Sequence, residues 1–443
     1  MAAACSGTYV GAGVDAGVDG GSSTDAGLTP SDAPSGDALG AVSLLDDDAA
    51  DFGAGTFEGT QHQGRLMLGT GVTKGRFVSR VHDAQRDVTF RSLRFVPGAA
   101  YSKHLPKKKA KETGYPTFTL DMAENVLLLD FDGTAGSPLA TGTKIADGSG
   151  SGNEAEIAGG GESTAQGPWG TALRDSASGY ARAHVTASSG LNIGTADATW
   201  ALWVKTTQSC PASNPPSGNR VYLGVDEGAS DRTHTWFGCS SLGACSTSAG
   251  GRIGGTFCAR QVAPDDCADL CGSKTVNDGS WHHMALVKRG HSPGTIRTFV
   301  DGRPDGPEAR TQFTTPIAFA EQTELGIGAF SGGSYQAEGD FDEVAIWRRA
   351  LSDAEILGIY RRSALSAGLR VRVCRERDCS DSPRFVGPGG GEAPFTDPDG
   401  ALAPPGELGL TLPRGRYVQY EVVYSALTPM DSPEILSVEI RAE

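Results

Sequence analysis

The sequence is poor in aromatic residues, 7% of 443, and only 38% of it is apolar. No apolar run approaches the ~18 residues that a membrane-crossing helix needs. Basic residues are in deficit: 38 Lys and Arg against 53 Asp and Glu leave a net charge of −15. Phosphate backbones are gripped by cationic surfaces, so this balance excludes nucleic acid as the main partner and leaves neutral glycans, calcium or proteins. The chain also lacks any CxxC pair or grouped histidines of the kind that hold zinc. Glycine, at 62 residues, and proline, at 24, are what it has in plenty, which describes a turn-rich protein. Its length allows two or three domains, each with its own core.

Nine cysteines without a metal pattern indicate an oxidising compartment. Eight of them read as disulfide partners. Cys210, Cys239, Cys245, Cys258, Cys267 and Cys271 lie in the central region, with their pairing left open, and Cys374 and Cys379 bracket a short turn that a local bond would pin. Cys5 stands apart. The small residues before it, MAAAC, resemble the end of a bacterial lipoprotein signal, which makes Cys5 the candidate lipidation site. From 11 to about 40 the text is Gly, Ala, Asp, Ser and Thr, too little to bury for folding, so residues 1–44 are expected to be a lipobox-like start and a disordered acidic tether.

Alternating runs follow. GRFVSRVHDA (75–84) and VTFRSLRFVP (88–97) read as strands, as do LRVRVC (369–374), RYVQYEVVY (416–424) and the final ILSVEIRAE. Neither end has enough strands to stand alone. The predicted arrangement is therefore one discontinuous β-sandwich made of 45–120 plus 366–443, with 121–365 inserted in one of its loops, because loop length costs little free energy. Pairing between the 77–81 run and the 369–374 or 417–423 run is the expected signature. The basic run KHLPKKKAKE (103–112) is read as a solvated loop.

Within the insert, GDFDEVAIWRRALSDAEILGIY (339–360) reads as a strand, a tight link and a short helix over 352–361. Ser352 and Glu355 have capping-box spacing, and Leu351 with Ile356 has that of a hydrophobic staple. ATWALWVKT (198–206) is patterned as a central strand covered on both faces. Together with WHHMALVKRG (281–290), TFVDGRPDG (298–306) and ELGIGAFSGG (324–333), the 339–360 stretch resembles the laminin-G-like jelly roll of the concanavalin A-like lectin/glucanase superfamily. The resemblance implies an all-β fold, a jelly-roll sandwich, for 121–365. Residues 208–280 depart from it as a swollen Gly-, Ser- and Cys-rich loop region, the place where an individual binding function is expected.

Four groups carry candidate chemistry. Glu338, Asp340 and Glu343 satisfy E-x-D-x-x-E, which resembles the catalytic strand of jelly-roll β-glucanases, but Gly339 and Asp342 stand where those enzymes have apolar residues. The same letters coincide with the structural Asp-Glu-Val strand of laminin-G-like modules, so no catalytic residue is assigned. Asp130 and Asp132, at a strand-to-turn junction, are the candidate metal ligands, since laminin-G-like relatives hold calcium with such acids. Asp342 is a more distant contributor, and an Asx-type turn before Gly133 is the alternative. His282 and His283 are read as packing and hydrogen-bonding residues at a strand start. Trp169, Trp236 and Trp347 are candidate sugar platforms; Trp236, with His234 beside it, is expected to be the exposed one and forms the candidate ligand-binding pair.

The resulting expectation is a non-enzymatic binding or adhesion module, monomeric, lipid-anchored at the outer face of the cell envelope or extracellular. Its partner would be a glycan or an extracellular or envelope protein, its cofactor calcium, and it would meet the membrane only through the N-terminal lipid. A glycoside hydrolase or lyase and a structural spacer are the alternatives.

Overall fold

The computed structural model describes residues 41–443 apart from 161, 177, 212–217, 229–231, 242–244, 246–249 and 262–265. Cys5 and the acidic tether up to residue 40 lie outside the described residues, and the strand Val42–Asp46 runs across the expected boundary at 44. The fold is all-β, a jelly roll inserted into a second, discontinuous sandwich.

In the outer sandwich, Lys74–Val78 pairs antiparallel with Gly415–Ala426, placing Phe77 opposite Val422, and Gly415–Ala426 also pairs with Leu365–Cys374. The facing sheet sets Phe90–Pro97 beside Glu434–Ala442 and Val42–Asp46 on the same last strand. Chain from both sides of the insert thus shares each sheet. The alternation legible in RYVQYEVVY places Val418, Tyr420, Val422 and Tyr424 in a common core with Phe77, Phe90 and Phe95. A short helix that the sequence did not reveal, Ala49–Gly53, is capped by Asp48, whose carboxylate accepts from the amides of Ala50 and Asp51; its Phe52 plugs that core.

The jelly roll is two eight-stranded sheets. Its central strand, Ala198–Lys205, turns Trp200, Leu202 and Val204 into the inter-sheet core. Ala201 and Trp203 point the other way, and both are covered. The cover is the helix Asp353–Ala364, through Ile356, Ile359 and Tyr360, and the connection from the outer sandwich, through Leu105, Leu120 and Met122. Ser352 accepts from the Glu355 amide while the Glu355 carboxylate accepts from the Ser352 amide, so the capping box is formed. Leu351 and Ile356 are buried in the same cluster. The helix extends to Ala364 rather than 361, because its last turn runs directly into Leu365–Cys374 of the outer sandwich.

Two expectations need correction. The 208–280 region is more than a swollen loop: Arg220–Asp226, His234–Cys239, Arg252–Cys258 and Cys267–Thr275 extend one sheet in that order. Cys210–Cys239, Cys245–Cys271 and Cys258–Cys267 staple these strands, and Cys374–Cys379 closes the outer hairpin. The 103–112 run is not simply solvated either. Lys107, Lys108, Lys109 and Lys111 are exposed, but Lys103, His104 and Glu112 are buried where the two sandwiches meet.

Candidate functional site

His234 and Trp236 occupy alternate positions on one strand, so both face the same side of the sheet, away from the inter-sheet core. There they line a groove of about 480 Å³ together with Arg232, Thr256, Phe330 and Tyr335. Trp236 packs edge-on against Phe330, with centroids 6.0 Å apart, and Phe330 packs in the same way against Tyr335 at 5.7 Å. Trp236 is only 3% exposed, which corrects its expected role as the open platform. Val221 and Phe330 cover its ring, so it forms the floor of the groove, and the half-buried Tyr335 is the accessible aromatic. The walls are polar. Arg232 is held by Asp226 at 3.1 Å, and Thr256 donates to Asp269. His234 Nδ1 is buried with no hydrogen-bond partner among the described residues. Burial outweighs the nearby acids and lowers the His234 pKa, which keeps the ring neutral.

The E-x-D-x-x-E acids are separated by the backbone. Opposite 201–203 of Ala198–Lys205 the register shifts, and Glu343 takes a left-handed φ of 47° at that bulge. Its carboxylate is buried, accepting from the Leu105 amide at 3.2 Å and lying 2.6 Å from His104 Nδ1. Glu338 is exposed at the start of the strand, in an open groove of about 640 Å³ that contains Arg174, Lys205 and Gln208 but not Glu343. Asp340 in that groove is tied by both oxygens to Arg174, at 2.7 and 2.9 Å. A pair of carboxylates converging on one bond is not formed by Glu338 and Glu343.

Asp130 and Asp132 each meet a cation from the 103–112 run. Lys107 Nζ lies 2.5 Å from Asp130, and His104 Nε2 lies 3.1 Å from Asp132. His104 thus bridges Asp132 and Glu343. Burial opposes its protonation, but the hydrogen bond and charge of Glu343, with Asp132 and Asp399, raise its pKa to about 9. Asp132 Oδ1 accepts from the Thr171 amide at 3.2 Å, where an Asx-type turn would have used the amide of Thr134. Asp342 is fully buried, its Oδ2 has no hydrogen-bond partner among the described residues, and burial, followed by the charges of Glu343, Asp132 and Asp130, raises its pKa well above the usual range. As placed, these acids do not converge on a point. Among the described residues, the acids close enough to share a cation are the exposed Asp47 and Asp48 and the half-buried Asp51, which Arg80 already pairs.

His282 and His283 take the places expected of them. His283 is enclosed against Trp203 and Tyr360, while His282 pairs with Asp301 at 3.0 Å and with Asp278 at 3.2 Å. Trp347 is buried; Trp169 is half-exposed beside His104. The feature sequence reasoning missed is the polar junction of the sandwiches, where buried Arg362 pairs with Glu112 and donates to the His104 carbonyl. The signal for it was an acid, Glu112, closing a basic run directly before the insert.

Comparison with known proteins gives the same picture for the insert. Residues 178–357 match the concanavalin A-like lectin/glucanases superfamily. No curated protein sequence matches the chain. Similar solved structures include domain 4 of AbnA, a GH43 extracellular arabinanase from Geobacillus stearothermophilus, in complex with arabinotriose. It is 15% identical, the alignment covers 54% of this chain and 98% of that one, and the TM-score is 0.37. The binding domain of Paraclostridial Mosquitocidal Protein 1 is 13% identical, with 58% of this chain and 55% of that one covered and a TM-score of 0.38. For the receptor binding domain of botulinum neurotoxin D the figures are 10%, 54%, 52% and 0.36. The chain therefore spans about half the length of either toxin domain. The strand order and the capped helix agree with this match of residues 178–357 to the concanavalin A-like lectin/glucanases superfamily.

Proposed function

We propose that this chain is a non-enzymatic binding module of the cell surface or extracellular space and that its jelly roll takes a glycan in the groove of His234, Trp236, Phe330 and Tyr335. The observation that carries this reading is the groove itself, in which the half-buried Tyr335 ring, backed by the buried Phe330 and Trp236, offers one face for a sugar to stack on between polar walls that bond its hydroxyls. The sequestration of Glu343 by His104 supports binding over cleavage. Four disulfides agree with an oxidising compartment. A lipid on Cys5 would supply the membrane contact, and a monomer is the expected state.

Glycan-array binding followed by calorimetry tests the reading. Tyr335→Ala and Arg232→Ala are each expected to weaken a glycan hit at least tenfold while circular dichroism shows the native fold retained at the binding temperature. An array without hits, or variants that bind like the parent, refutes the site. Polysaccharide cleavage that disappears in Glu343→Gln would replace the binding module with the hydrolase.

Calcium is a further part of the proposal. Asp130, Asp132 and the Asp342 oxygen that has no partner among the described residues would supply donors once Lys107 and His104 moved aside. Titration with calcium chloride tests it: absence of both heat and thermal shift at millimolar calcium rejects the metal.

A further inference from the structure

Between the two sandwiches a lysine and an aspartate meet where water does not reach. Lys103 is 0% exposed, Asp397 4% and Tyr115 5%. Lys103 Nζ lies 3.0 Å from Asp397 Oδ1, 3.0 Å from the Tyr115 hydroxyl and 2.7 Å from the Ala401 carbonyl oxygen. The Tyr115 hydroxyl donates to the other oxygen, Asp397 Oδ2, at 2.6 Å. One hydroxyl therefore touches both the amine and the carboxyl.

Burial makes the charged forms of this pair costly. It lowers the Lys103 pKa and raises that of Asp397, against the attraction between them, while Arg362 and Glu112 add opposing effects on the lysine. Passing one proton from ammonium to carboxylate leaves a neutral amine against a carboxylic acid. Those are the reactants of amide formation, held in contact so that no encounter entropy remains to be overcome. A dry site also removes the water that would favour the reverse reaction, and the product carries no charge to desolvate.

We propose that Lys103 and Asp397 are joined by an intramolecular isopeptide bond, with Tyr115 as the proton carrier. The amine lone pair of Nζ adds to Cγ of the protonated carboxyl. Tyr115 gives its proton to the departing Oδ2 hydroxyl and takes one from Nζ, so the phenol is regenerated. The Cγ–Oδ2 bond breaks, the Nζ–Cγ amide remains, and one water leaves. Nothing is oxidised or reduced, and no further reactant is needed. The partners are 294 residues apart, one on the connection into the jelly roll and the other in the C-terminal half of the outer sandwich, so the bond would close the outer sandwich across the insertion.

Intact-mass spectrometry of the purified full chain with its disulfides reduced is the test. The expected mass is one water below that of the sequence, and proteolysis should release a branched peptide whose fragments map the junction to Lys103 and Asp397. Lys103→Arg should restore the full mass. Tyr115→Phe should raise the unjoined fraction at least tenfold in freshly folded protein. The neighbouring Asp399–Gly400 dipeptide can also lose water, as a succinimide, but that loss would persist in Lys103→Arg and give a linear peptide. A parent chain of full mass, or a water loss that maps to 399–400, overturns the proposal.

Discussion

Replacing His283 with phenylalanine should change the acid stability of the jelly roll by an amount that can be worked out beforehand. The imidazole is 1% exposed, packed against Trp203 at a centroid distance of 5.4 Å, and its Nδ1 has no hydrogen-bond partner among the described residues. Burial lowers its pKa from the ordinary 6.5 to about 4, with Asp301 the opposing charge. The unfolded chain therefore takes up a proton near pH 6.5 that the folded chain refuses until about pH 4. The stability contribution is whole above 6.5 and is lost as pH falls toward 4. The shift of about 2.5 pH units corresponds to a loss of about 3 kcal/mol. Urea unfolding followed by tryptophan fluorescence, at intervals from pH 7.5 to 4, measures it. Carboxylates titrate in the same window in both proteins, so the difference between parent and His283→Phe isolates the imidazole, and the parent should fall relative to the variant by about 3 kcal/mol between pH 7.5 and 4. Parallel curves would show that the buried ring is not held neutral and would refute the reasoning.

His282 should behave with the opposite sign. Burial disfavours its charge, but the hydrogen bond and charge of Asp301, then Asp278, win and raise its pKa, so its contribution is complete below the ordinary histidine value and is lost as pH rises. His282→Gln should flatten that alkaline decline in the same unfolding assay. Arg362→Ala strands the buried Glu112 carboxylate and should cost about 3–5 kcal/mol in urea unfolding, with part of the loss recovered in the double variant Arg362→Ala/Glu112→Ala. Ser352→Ala removes the hydroxyl that accepts from the Glu355 amide and should lower stability by about 1 kcal/mol, read as a shift in the urea midpoint.

Local rules carried much of the fold into the sequence. The capping box at Ser352 and the two-faced burial of 198–205 depend on spacing within a few residues, and both are formed. The pairing of Phe77 with Val422 was legible for another reason: neither end of the chain had enough strands alone, so each needed the other. The candidate site was less legible. Trp236 looked exposed because its neighbours are Gly, Ser and Cys, but its cover comes from Val221 and Phe330, of which Phe330 is distant in sequence. The 103–112 run looked solvated because its acid partners, Asp130, Asp132, Glu343 and Asp397, are scattered over the chain. Bulges hide as well: a one-residue register shift opposite 201–203 places Asp342 and Glu343 where simple alternation would not.

The jelly roll leaves the outer sandwich and returns to it at almost one point, since the Ser102 amide bonds the carbonyls of Arg362 and Leu365. At the other extreme, Val42 lies opposite Ala442 on antiparallel first and last strands. A pull on the two ends of the 41–443 body would therefore unzip that ladder one hydrogen bond at a time, and with Lys103 joined to Asp397 the tension would cross that bond and bypass the insert even after the outer sheets had opened. The outer sandwich is thus a mechanical fuse: it yields first and lengthens the chain while the jelly roll, with its groove, is still intact.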